Sequence, residues 1–99
     1  MRIQLLYFDG CPNWHVMHDR LRSAVALVDE DCDVELVEVD SPEMAVEWGF
    51  RGSPSVLVDG RDTFAEPGAP VWLACRLYPT PDGLRGAPTL EQLVAALAG

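Results

Sequence analysis

Three side chains in this sequence can do covalent thiol chemistry: Cys11, Cys32 and Cys75. Cys11 has the most informative neighbours, in the stretch Phe8-Asp9-Gly10-Cys11-Pro12-Asn13-Trp14. There an apolar strand breaks at a glycine and hands the thiol to the start of a helix. A helix N-terminus carries partial positive charge and unpaired N–H groups, so a thiol held there ionises more readily. The thiolate is the form that attacks disulfides or binds soft metals. The bland alternative is a small buried hydrophobe, which free cysteines often are. His15 lies one turn on from Cys11 and could favour the thiolate as a cation or take its proton, with Asp19 as an orienting partner; an exposed helical histidine is the competing reading. The fourth position of the motif, where a vicinal dithiol would place its second sulfur, is Trp14.

A single thiol can exchange with an external thiol such as glutathione, or a distant cysteine can close the cycle. Cys75 is the candidate resolver. It lies in a long atypical segment and is followed by Arg76, whose charge would favour a thiolate. Packing of an apolar loop explains Ala74-Cys75 equally well. Cys32, between Asp31 and Asp33, is expected to be inert, because neighbouring carboxylates disfavour its ionisation. Cys11, His15 and His18 do not make a persuasive zinc site, since His18 is displaced around the helix from the other two. Asp9 is read as a strand stop, and Trp14, Trp48 and Trp72 as packing, although Trp14 could also shape an apolar slot beside the thiol.

These residues need elements to hold them. Residues 3–8 form an almost unbroken apolar run, the pattern of a central strand buried on both faces. From 14 to 28, Trp14, Met17, Leu21, Ala24, Val25 and Val28 recur at helical spacing, with Pro12 tolerated in the first turn. The acidic run Asp29-Glu30-Asp31 is a solvated loop, and residues 34–39 are a second strand, parallel to the first. Ser41-Pro42-Glu43 starts a short helix that runs to about Trp48, closed by Gly49. Residues 55–58 and 61–65 form a hairpin around Asp59-Gly60. Thr89 and Gln92 form a capping box for a last helix with Leu90, Leu93, Val94 and Leu97 on its buried stripe. Residues 66–88 hold five prolines and three glycines; within them, 71–78 suits either a short strand or a turn of helix.

The bulk properties set limits. Ninety-nine residues, 48% of them hydrophobic, suffice for one core. Seven arginines, no lysine and sixteen acidic residues leave a net charge of −9, which repels phosphate backbones and anionic membranes. Neither nucleic acid nor a membrane is an expected partner. No signal or membrane span is visible, and an odd cysteine count argues against a structural disulfide framework, so the expected compartment is the cytoplasm.

Taken together, strand, Cys-Pro loop, helix, strand, helix, Gly-x-Pro turn, hairpin and helix resemble the thioredoxin fold. The motif around Cys11 and the turn Gly49-Phe50-Arg51-Gly52-Ser53-Pro54-Ser55 carry the resemblance, which covers residues 1–60 and 89–99 well and 61–88 poorly. In that family the proline matching Pro54 follows a cis peptide bond and faces the active cysteine, and the backbone before it pairs with an extended thiol substrate. The resemblance thus implies a cis Ser53–Pro54 bond, with Pro12, Trp14, Ser53 and Pro54 as substrate-binding residues. Trp14 departs from the family's dithiol pattern and removes the usual intramotif disulfide. The chain also resembles small bacterial thioredoxin-like proteins, some labelled alkylmercury lyase, an enzyme much longer than this chain.

The expectation is therefore an α/β, thioredoxin-like single domain over 1–99, with a mixed four-stranded sheet flanked by helices on both faces and a Pro-rich insertion at about 66–88. Its expected activity is thiol–disulfide exchange at Cys11, with His15 assisting and Cys75 as resolver, on a protein or glutathione thiol or disulfide, without cofactor or metal. Two other classes stay open: a soft-metal or organomercurial-binding thiol protein using Cys11 and Cys75, and a redox-silent binding module.

Overall fold

Because the run at the chain's start is apolar on both of its alternating faces, it can be covered from both sides, and it becomes the central strand β1 (Ile3–Tyr7), four of whose five residues are buried. In the computed structural model, which describes residues 1–28, 33–65, 71 and 73–98, the elements then follow in order. They are α1 (Trp14–Leu27), β2 (Val34–Glu38), α2 (Pro42–Trp48), β3 (Ser55–Val58), β4 (Arg61–Asp62), β5 (Tyr78–Thr80), β6 (Gly83–Arg85) and α3 (Leu90–Ala98). The main sheet has the order β2-β1-β3-β4, and β5 and β6 form a separate two-stranded hairpin. β1 runs parallel to β2, with Leu5 opposite Leu36, and antiparallel to β3, with Leu5 opposite Val56. The sheet is thus mixed, as expected.

Alternation along the two inner strands divides the core. Ile3, Leu5 and Val56 face one layer, where Met17, Leu21, Ala24 and Val25 of α1 meet Leu93 and Leu97 of α3. Leu6 and Leu57 face the other, where Val39, Ala45 of α2 and Phe50 lie. Helices therefore cover both faces. Full burial of a Leu, Ile or Phe side chain is worth about 1.5–3 kcal/mol, so the paired layers, not helix propensity, hold α1 and α3 in place.

The end signals act as the sequence implies. Ser41 caps α2, its hydroxyl accepting from the Met44 N–H at 3.2 Å. Thr89 and Gln92 exchange side-chain and backbone hydrogen bonds of 2.8 and 3.1 Å at the start of α3. Asp59 and Gly60, at φ 52° and 84°, form the turn between β3 and β4, the mirror-image turn whose twist matches that of the flanking strands.

Three expectations are corrected. β4 is two residues long, because the Asp62 carboxylate accepts the Phe64 N–H at 3.1 Å and turns the chain out of the strand. α1 begins at Trp14 with Asn13 at its N-cap, so Pro12 and Cys11 precede the helix and do not share its first turn. Residues 71–78 are neither a regular strand nor a helical turn where described: Cys75 makes one isolated parallel bridge to Ser53, and Tyr78 opens the β5–β6 hairpin. The readings of Asp29-Glu30-Asp31, Cys32, Trp72 and residues 66–70 fall outside the described residues.

Candidate functional site

The site is built where the ends of β1 and β3 meet. Beyond β1 the chain turns back on itself, the Cys11 N–H donating to the Phe8 carbonyl at 3.0 Å. The Phe8 N–H donates to the Ser53 hydroxyl at 2.9 Å, which ties this turn to the segment entering β3. Cys11 and Ser53 are both fully buried, each at 0% exposure. The Ser53–Pro54 peptide bond is cis, as the resemblance implies.

Cys11 and Cys75 are joined by a disulfide across 64 positions of sequence, with their Cα atoms 5.8 Å apart. The two backbones around it are hydrogen-bonded as well. The Ser53 N–H donates to the Ala74 carbonyl at 2.7 Å, and the Arg76 N–H donates to the Ser53 carbonyl at 2.9 Å. Cys11 Sγ lies 3.6 Å from that same Ser53 oxygen. The backbone edge that the resemblance assigns to an extended substrate is thus filled by residues 74–76 of the chain itself. Gly52 makes the close approach feasible. It sits at φ +110°, and a Cβ there would lie 3.0 Å from Arg76 Cβ and 3.2 Å from the Ala74 oxygen.

Arg76 anchors the segment. Its Nη1 and Nη2 donate to the two carboxylate oxygens of Asp62 at 2.7 and 3.3 Å, and Nη1 also donates to Ser55 Oγ at 3.0 Å. Its guanidinium carbon stands 4.7 Å from the centre of the Tyr78 ring. The Tyr78 hydroxyl in turn donates to the Pro54 carbonyl. Burial pushes the Tyr78 phenol above its ordinary range, only partly opposed by the Arg76 charge. The side chains of Arg76 and Asp62 keep only 10% and 5% of their exposure, which favours the two-pronged charged contact over hydration. Arg76 was expected to favour a thiolate at Cys75; its charge is instead committed to Asp62.

The remaining predicted residues are spread around this core. Trp14 is half-buried and stacks between Tyr7 and His15, with ring centres 4.3 and 3.7 Å away. His15 is exposed on that stack, as are Pro12 and Asp19, and among the described residues no hydrogen bond joins His15 to Cys11. The structure therefore brings together Cys11, Cys75, Ser53 and Pro54 and places His15 against Trp14. Among the described residues no group of three or more His, Cys, Asp or Glu could share a metal ion, and no helix is long and apolar enough to cross a membrane. Sequence reasoning missed Asp62, Ser55 and Tyr78. Residues 14 and 21 positions from Arg76 leave no periodic trace of their pairing with it. In comparisons with known proteins, the chain matches no family model, no curated protein and no solved structure at a significant level.

Proposed function

We propose that the chain is a thiol–disulfide oxidoreductase-like protein of thioredoxin fold, cycling between a Cys11–Cys75 disulfide and the corresponding dithiol. The observation that carries this reading is the disulfide held against the Ser53 backbone, with residues 74–76 hydrogen-bonded along it. The strand order β2-β1-β3-β4, with β1 parallel to β2 and antiparallel to β3, supports the fold assignment. Trp14 occupies the place of a neighbouring second thiol, and Cys75 supplies the second sulfur from a distance. Reduction of the pair takes two electrons and two protons from two external thiols, which leave as their disulfide.

The test is equilibration of the folded protein in glutathione buffers of graded potential, with acid quenching and peptide mapping of the three cysteines. Wild type should convert reversibly between Cys11–Cys75 disulfide and dithiol while its near-ultraviolet circular dichroism stays that of a folded protein. Cys75→Ser should lose the interconversion. A bond that yields only after the protein is unfolded would make it a structural staple and remove the redox reading.

A further inference from the structure

From the unequal burial of the two sulfurs' residues we infer that external thiols and disulfides exchange at Cys75, with Cys11 as the internal partner; this rests on the redox reading above. It reverses the order expected from sequence, where Cys11 meets the substrate and Cys75 resolves. Cys11 has 0% exposure, with its Sγ 3.6 Å from the Ser53 carbonyl. Cys75 is exposed. Thiolates attack a disulfide at a sulfur they can reach, and access decides which of two sulfurs is attacked.

Uncovering Cys11 would require lifting the segment that carries Cys75. That segment is held by the disulfide itself, by the hydrogen bonds of Ser53 with Ala74 and Arg76, and by the Arg76–Asp62 ion pair. Neither the ion pair nor the backbone bonds involve a sulfur, so breaking the disulfide removes none of them, and on this assignment Cys75 is outermost in the dithiol too. On the same assignment the Ser53 edge, filled by residues 74–76 in the disulfide form, is filled in the dithiol as well.

The step balances as follows. An external thiolate bonds to Cys75 Sγ, the bond between the two protein sulfurs breaks, and its electron pair departs on Cys11. A second external thiolate then attacks the sulfur of the first, releasing the external disulfide and the Cys75 thiolate. The protons of the two thiols end on Cys11 and Cys75. Oxidation by glutathione disulfide is the reverse: Cys75 takes glutathione, and Cys11 attacks Cys75 to expel it.

Two measurements test this. In the first, reduced wild type is alkylated with limiting iodoacetamide and the modified cysteines are mapped over time. Cys75 should be modified at least about tenfold faster than Cys11, because Cys11 is buried and Cys75 is exposed. In the second, Cys11→Ser and Cys75→Ser, each checked for folding by circular dichroism, are treated with glutathione disulfide. Cys75 in the first variant should take glutathione at least about tenfold faster than Cys11 in the second. Equal rates, or faster reaction at Cys11, in wild-type alkylation overturn the assignment, whether or not either variant folds. If wild type interconverts in glutathione buffers and yet Cys11 reacts first, the redox reading stands and only the order falls. If the folded protein does not interconvert at all, both fall.

Discussion

Tyr78 shows how one side chain can join the site to the fold. Its ring carries the Arg76 guanidinium and stands perpendicular to that of Phe64 at 5.4 Å between centres, and its hydroxyl satisfies the Pro54 carbonyl. Burial raises its pKa above the ordinary value near 10. The neutral phenol is therefore favoured in the folded state more than in the unfolded one. The stability this contributes is complete below pH about 10, the unfolded value, and is lost as pH rises toward the higher folded value, at about 1.4 kcal/mol per pH unit. Tyr78→Phe should cost about 1–3 kcal/mol at neutral pH, because it leaves a buried carbonyl unpaired. It should also remove that part of the alkaline loss. Urea unfolding of both proteins from neutral to strongly alkaline pH checks the expectation. Parallel curves above pH about 10 would mean that Tyr78 is not the buried titrating group.

At the scale of elements, the decisive feature is the docking of residues 74–76 on Ser53, and Gly52 is its weak point. Gly52→Ala forces a side chain into φ +110° and into Arg76 Cβ and the Ala74 oxygen. Backbone strain of this kind costs about 1–3 kcal/mol, and here the chain can escape it by undocking the segment. The variant should lose at least about 2 kcal/mol of stability and show faster amide exchange at Arg76. Unchanged exchange at that amide would show that the segment is not held through Ser53. Most of the elements around this contact were legible in the sequence. The two-faced apolar run of β1, the helical stripes of α1 and α3, the Ser41 and Thr89 caps and the Asp59-Gly60 turn are each decided by residues within a few positions of one another. The docked segment was not legible, because what decides it is distant: Asp62, Ser55 and Ser53 meet Arg76 only after the sheet has formed. Local composition around Cys75 is equally compatible with packing and with pairing. The two-residue β4 was missed for a related reason, since a side chain of Asp62 both turns the chain and receives Arg76.

For the whole molecule, the disulfide and the fold are thermodynamically linked. The Cys11–Cys75 bond closes a loop spanning 64 positions, and the loss of unfolded-chain entropy for a loop of that length corresponds to about 4 kcal/mol. Oxidised protein should therefore be harder to unfold than reduced protein by that amount, raising the thermal midpoint by about 15–30 °C for a domain of this size. The same cycle read the other way requires the fold to favour the disulfide by an equal amount over the unfolded chain. With about 30 mV per 1.4 kcal/mol for a two-electron couple, the bond in the folded protein should have a potential about 90 mV more negative than in the unfolded chain. Two independent measurements have to agree: the difference in unfolding free energy with and without dithiothreitol, and the difference in glutathione equilibrium with and without urea. A gain well below about 4 kcal/mol in both would mean that the reduced unfolded chain keeps part of the constraint, with Arg76 and Asp62 still holding residues 74–76 near Ser53. Disagreement between the two would mean that the two experiments do not share the same four end states.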